Sequence, residues 1–145
     1  DIMKGLDVFK FTTDVGPKGI KDILEFSGKS MEYIDYFAFH QANKQIVRTV
    51  AMYAGVPGDK YSAETFSQYG NCGSAAVTVD ICRQLSQKPA KNVCLATFGV
   101  GLSWGFCLEG AYISPVHLHH TPAGNMNRQQ KIDYWISYFK EGNNA

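Results

Sequence analysis

Dense basic or acidic tracts are missing from this 145-residue sequence: fourteen Lys and Arg stand scattered against thirteen Asp and Glu, a formal charge of +1. A nucleic-acid groove or an anionic membrane surface therefore has no electrostatic footprint, and neither is expected as a partner. Apolar stretches stay short. Residues 92–108 carry no charged side chain, but they fall short of a bilayer span and are broken by Gly99, Gly101 and Gly105. Cys72, Cys82, Cys94 and Cys107 form no Cys-x-x-Cys pair, which removes the usual zinc and dithiol spacings and suits buried thiols in a reducing compartment. The chain opens at Asp1 without a basic-then-apolar pattern, and it is expected to be cut from a longer, cytoplasmic protein.

What is present suffices for a packed core. Apolar residues make up 45% and aromatics 13%, at a length near one ordinary domain, so wholesale disorder is excluded.

The periodicities give an α/β order. Residues 3–11 read as a short strand, and Val15, Ile20, Ile23 and Leu24 as a loose helical stripe ending at Gly28, with Gly16, Pro17 and Gly19 disturbing its start. Residues 33–39 (YIDYFAF) have the texture of a strand buried on both faces, ending at His40. Ile46, Val47, Val50, Ala51 and Ala54 then recur at helical spacing, with Gly55 and Pro57 as the stop. A weak strand is expected at 61–66, and a helix from Cys72 to about Gln87 whose first turns hold the small residues Gly73, Ser74, Ala75 and Ala76. Segments 92–98 and 102–111 read as a hairpin. Finally Asn127 can cap a helix striped by Ile132, Trp135, Ile136 and Phe139, with Gln130 at its third position.

Ligands of open α/β sheets sit beyond the carboxyl ends of the strands. Three polar features fall at such ends: His40-Gln41-Ala42-Asn43, Gly70-Asn71 and Phe98-Gly99-Val100-Gly101. Singly, each has a structural explanation as a strand-end histidine, a helix cap and a hairpin turn.

Together and in this order, HQAN (40–43), YGNCGSAA (69–76) and FGVGLSWG (98–105) resemble the carboxyl-terminal half of type III ketoacyl-acyl-carrier-protein synthases. The resemblance covers about residues 1–110 and extends to the opening MKGLDVFKF. It implies half of a thiolase-like fold: a mixed, mainly parallel sheet with an antiparallel edge hairpin and helices on both faces. The domain would be 1–111, and 112–145 a tail with a loop and an amphipathic helix.

The resemblance also implies a catalytic Cys, His and Asn, of which the cysteine belongs to the absent amino-terminal half. His40 matches the histidine and Asn71 the asparagine, two donors that would stabilise the enolate formed when a malonyl thioester loses carbon dioxide. Such a histidine is a neutral donor, with an acceptor on its second nitrogen fixing the tautomer. Val100 would offer its backbone N–H to the acyl oxyanion, Asn43 would meet the pantetheine arm, and Phe98 would line the approach to the nucleophile. The small residues at 73–76 would let the cysteine-bearing helix pack closely. Acyl-CoA and malonyl-acyl carrier protein are implied as substrates, with no resident cofactor or metal, and the complete enzyme as a homodimer. Where many members carry an Arg that docks the acidic carrier, this chain has Gln45, preceded by Lys44.

Other readings stand beside this one. Cys72, following Asn71 at an expected helix start, could be a nucleophile in its own right. His117, His119 and His120 cluster as metal-ligand types, but without a fourth ligand or an acidic neighbour in sequence they are read as a solvated loop. The chain could also be a non-catalytic thiolase-like subunit that uses an exposed apolar face for association.

Overall fold

The computed structural model describes residues 5–86, 88–99, 102–109 and 126–140. A three-stranded mixed sheet, in the order β1-β2-β3, organises the chain: β1 (Tyr36–Phe39) pairs parallel with β2 (Val93–Gly99), which pairs antiparallel with β3 (Ser103–Glu109). All four β1 residues are buried, as the uninterrupted apolar run requires.

Helix α1 (Gly5–Ser27) replaces the expected strand at 3–11 and continues through the stripe to Gly28. Its buried residues, Thr12, Gly16, Ile20 and Leu24, recur every four positions, so one narrow seam runs the length of the helix. Pro17 lies inside it and forfeits a backbone bond, but tertiary packing of this seam outweighs the local propensity. The two glycines that disturb the pattern are contact points: a Cβ at Gly16 would come within 2.6 Å of Val50, and one at Gly19 would overlap the Phe106 ring.

Helix α2 (Lys44–Ala54) begins at Asn43, whose side chain accepts from the Ile46 N–H at 2.8 Å, and stops at Gly55 in the left-handed conformation. With α1 it covers one sheet face through Ile20, Leu24, Phe37, Phe39, Ile46, Val47, Val50, Cys94 and Ala96. The expected strand at 61–66 is instead an irregular segment followed by a short helix, α3 (Thr65–Tyr69). Only Lys60 O, bonded by the Phe37 N–H, touches the ladder there. A 3-10 turn (Gly73–Ala75) leads into α4 (Ala76–Leu85), which covers the opposite face through Val77 and Leu85 against Tyr36, Ala38 and Val93.

Helix α5 (Arg128–Lys140) has the expected reciprocal cap: Asn127 Oδ1 accepts from the Gln130 N–H and Gln130 Oε1 from the Asn127 N–H, both at 2.9 Å. The expected boundary at 111/112, the three-histidine loop and Val100 lie outside the described residues. No helix among the described residues is long and apolar enough to cross a membrane.

Candidate active site

Two parallel strands end side by side at one edge of the molecule, β1 running into His40 and β2 into Phe98-Gly99. The His40 N–H extends the ladder to Ala96 O at 2.8 Å, and the His40 carbonyl accepts from the Ala42 N–H at 2.9 Å, so the backbone bearing the imidazole is held on both sides. The side chain is half-buried, and that desolvation lowers its pKa below the ordinary 6.5. A neutral ring follows at neutral pH, the state a hydrogen-bond donor to a developing oxyanion needs. The expected acceptor on its second nitrogen is not found: among the described residues the imidazole has no hydrogen-bond partner.

Asn71 arrives from the other side, between α3 and the 3-10 turn. Gly70 before it sits at φ 68, ψ −160, a backbone region essentially closed to other residues, and this bend aims the next residue at the strand ends. Asn71 Oδ1 accepts from the Gly73 N–H at 3.0 Å. Because a backbone N–H must meet an oxygen, the amide orientation is fixed, and Nδ2 is left as the outward group with two protons to donate.

Two depressions meet at these residues. One, an open trough of about 610 Å³, is lined by His40, Asn71, Val77, Thr97, Ser103 and Gly105, among others. The second, about 290 Å³, runs between Val8, Phe11 and Thr12 of α1, Ala42, Asn43 and Ile46 of the α2 entry, and Leu102. His40, Asn71, Phe98 and Gly99 belong to both walls. The structure thus brings together His40, Asn71, Asn43 and Phe98, every expected site residue that it describes. Asn43 Oδ1 is already spent on the α2 cap.

The second depression's α1 wall was missed in the sequence, where residues 3–11 read as a strand. As a helix they place Val8, Phe11 and Thr12 along one side of it. Gln41 also bears on the site without a sequence signal of its own. It is 1% exposed, donates from Nε2 to Phe39 O (3.2 Å) and Ser62 O (3.1 Å), and accepts from the Phe66 N–H (3.1 Å), which ties the His40 loop to the start of α3.

Cys72 does not join the site: it is exposed, its thiol faces Tyr69 O at 3.4 Å, and it lines neither depression. No group of three metal-ligating side chains occurs among the described residues. Lys44 is engaged by Glu64 at 2.7 Å, which also pairs with Arg48 at 3.1 Å, so this exposed basic pair is partly offset.

Residues 24–109 match the family described as 3-oxoacyl-[acyl-carrier-protein] synthase III C terminal. The beta-ketoacyl-[acyl-carrier-protein] synthase III of Clostridium perfringens (strain ATCC 13124) is 34% identical over 109 residues, 73% of this chain and 33% of its own. That of Acholeplasma laidlawii is 35% identical over 104 residues, 71% of this chain and 33% of its own. Among solved structures, the beta-ketoacyl-[acyl carrier protein] synthase III of Thermus thermophilus superposes with a TM-score of 0.71 at 25% identity, over 79% of this chain and 36% of that one. The priming beta-ketosynthase of the R1128 polyketide pathway gives 0.70 at 28%, over 79% and 35%. The chain spans about a third of the length of the curated relatives it matches. The matched residues run from the end of α1 through β3 and contain both candidate donors, and on that match this chain belongs to the 3-oxoacyl-[acyl-carrier-protein] synthase III family, as its carboxyl-terminal part.

Proposed function

We propose that this chain supplies the enolate-stabilising half of a condensing acyltransferase, which joins an acyl group from acyl-CoA to a malonyl carrier with loss of carbon dioxide. The observation that carries the reading is the position of His40 and Asn71 on the wall shared by the two depressions. In it, the α1-lined depression takes the pantetheine arm, with Asn43 and Phe98 along it, and the open trough receives the helix of an amino-terminal half that bears the nucleophilic cysteine.

When carbon dioxide leaves the malonyl thioester, the electron pair of the broken C–C bond passes into an enolate whose charge gathers on the thioester oxygen. A neutral imidazole N–H and the Asn71 Nδ2–H, already oriented, meet that charge without reorganisation. The enolate carbon then attacks the acyl-cysteine carbonyl, and the cysteine leaves as thiolate. The Val100 backbone N–H is assigned to the acyl oxyanion. The reading includes a cytoplasmic homodimer of the complete enzyme, with no resident cofactor.

In the complete enzyme, His40→Ala and Asn71→Ala should each lower kcat for malonyl-carrier decarboxylation by roughly 10²–10³-fold, the usual effect of losing one oxyanion donor. This chain alone should not condense acyl-CoA with malonyl carrier, because the covalent acyl step has no nucleophile here. Wild-type rates in either variant, or turnover by the isolated chain, would overturn the reading.

A further inference from the structure

Asp80 on α4 is 0% exposed, the one carboxylate so enclosed among the described residues, and the chemistry above makes no use of it. Its Oδ1 accepts from Thr65 Oγ1 at 2.6 Å and its Oδ2 from Tyr36 Oη at 2.9 Å. Thr65 Oγ1 in turn accepts from Gln84 Nε2 at 3.0 Å.

These contacts reach three elements, and each leads to the site. Tyr36 opens β1, which runs into His40; Thr65 opens α3, which is capped by Gly70 beside Asn71; and α4 itself begins just beyond the turn that follows Asn71. One side chain therefore clamps both flanks of the Asn71 loop to the strand that carries His40. The Gln41 bonds to Ser62 and Phe66 close the same ring from the other side.

Packing gives no reason for a carboxylate here. Enclosing one costs several kcal/mol before its bonds are counted, and an apolar side chain beside Val77 and Leu85 would fill the space as well or better. Two O–H donors aimed at fixed oxygens do something apolar contact does not: they forbid sliding of α4 past α3, through Thr65, and past β1, through Tyr36.

We propose that Asp80 is a positioning residue for the Asn71 amide, its paired bonds to Thr65 and Tyr36 fixing α3 and α4 in the arrangement that keeps Asn71 beside His40. The proposal rests on the enolate-stabilising reading of that pair.

Asp80→Leu and Asp80→Asn in the full-length protein test it, by kcat and KM for malonyl-carrier decarboxylation and by the NMR resonances of the Asn71 side-chain amide, assigned by their loss in Asn71→Ala. Asp80→Leu, which keeps bulk and loses both acceptors, should lower kcat by about tenfold with little change in KM and shift the Asn71 amide signals. Asp80→Asn, which keeps an acceptor for Thr65, should fall between it and wild type. Lower thermal stability with unmoved Asn71 signals and unchanged kcat would make Asp80 merely structural and overturn the proposal. Should Asp80→Leu fail to fold, Thr65→Val removes one bond from the far side and must shift the same signals in the same direction. If the wild type shows no decarboxylation, the functional reading fails, and the amide signals still decide whether Asp80 orients Asn71.

Discussion

The two faces of the sheet are finished to different degrees. On one, Phe37, Phe39, Cys94 and Ala96 are all buried beneath α1 and α2, and Phe106 and Leu108 of the edge strand pack against the same cluster. On the other, α4 covers Tyr36, Ala38 and Val93, but Thr97, Gly99, Ser103 and Cys107 farther out are exposed. The closed face obtains its hydrophobic stabilisation within this chain, about 25 cal/mol for each Å² of apolar surface removed from water. The half-covered face carries small and polar side chains instead, and both candidate donors stand at its border. The fold is thus specified on one side of the sheet, and the chemistry is left open on the other.

The half-covered face should also respond to pH. Burial beneath α4 pushes the Asp80 carboxyl up to about 7 from the ordinary 3.8, while the Thr65 and Tyr36 hydroxyls pull it down less strongly. Between those values the folded chain holds a proton that the unfolded chain releases. Stability is therefore greatest below about pH 4 as far as this group is concerned, and falls as pH rises through about 7, by roughly 2–4 kcal/mol. Urea midpoints across that range should show the decline in the wild type and a flattened profile in Asp80→Asn; parallel profiles would mean that the carboxyl is not enclosed as described.

On the closed face the corresponding weakness is volume. A Cβ at Gly19 would overlap the Phe106 ring, which is itself wedged edge-to-face against Phe98 at 6.2 Å between centroids. Gly19→Leu should destabilise the chain by roughly 1–3 kcal/mol, in spite of leucine's better helix propensity, because the ring has to leave its place. Thermal unfolding measures this; an unchanged midpoint would show that α1 and β3 do not pack as closely as the structure has them.

The same contrast explains which features could be read from residues alone. Helix α2, the buried strand β1, the hairpin and the α5 cap announce themselves through local patterns: an apolar period closed by Gly55, four consecutive buried residues, and a reciprocal Asn127/Gln130 pair. Helix α1 is not legible as one helix: residues 3–11 have a strand-like texture, Gly16, Pro17 and Gly19 weaken helical propensity in its middle, and the value of the two glycines appears only against Val50, Phe98 and Phe106, far along the chain. The strand expected at 61–66 failed for a related reason: its aromatic residues serve packing, Tyr61 standing edge-on to Phe39 at 5.9 Å, and not a ladder. His40 and Asn71 are legible through motif order. Asp80 is not, since nothing in a one-dimensional pattern joins residues 36, 65 and 80.

The smallest effect on stability should come from the open face, and that is its use. Gly105 stands opposite Thr97 on the exposed side of the hairpin, where an added Cβ would meet only the Thr97 hydroxyl, at 3.3 Å. Gly105→Ala should move the unfolding midpoint of this chain by no more than the equivalent of about 0.5 kcal/mol, since a strand alanine also loses less backbone entropy on folding than glycine. If the trough is the seat of a second half, however, one methyl group on its floor stands where close packing is needed, and overpacking at a well-fitted surface costs roughly 1–3 kcal/mol. Titration of this chain with the cysteine-bearing half should therefore show Gly105→Ala binding about tenfold more weakly while melting like wild type. Equal loss in both measurements would place Gly105 in the core of this chain, and loss in neither would leave the trough facing solvent.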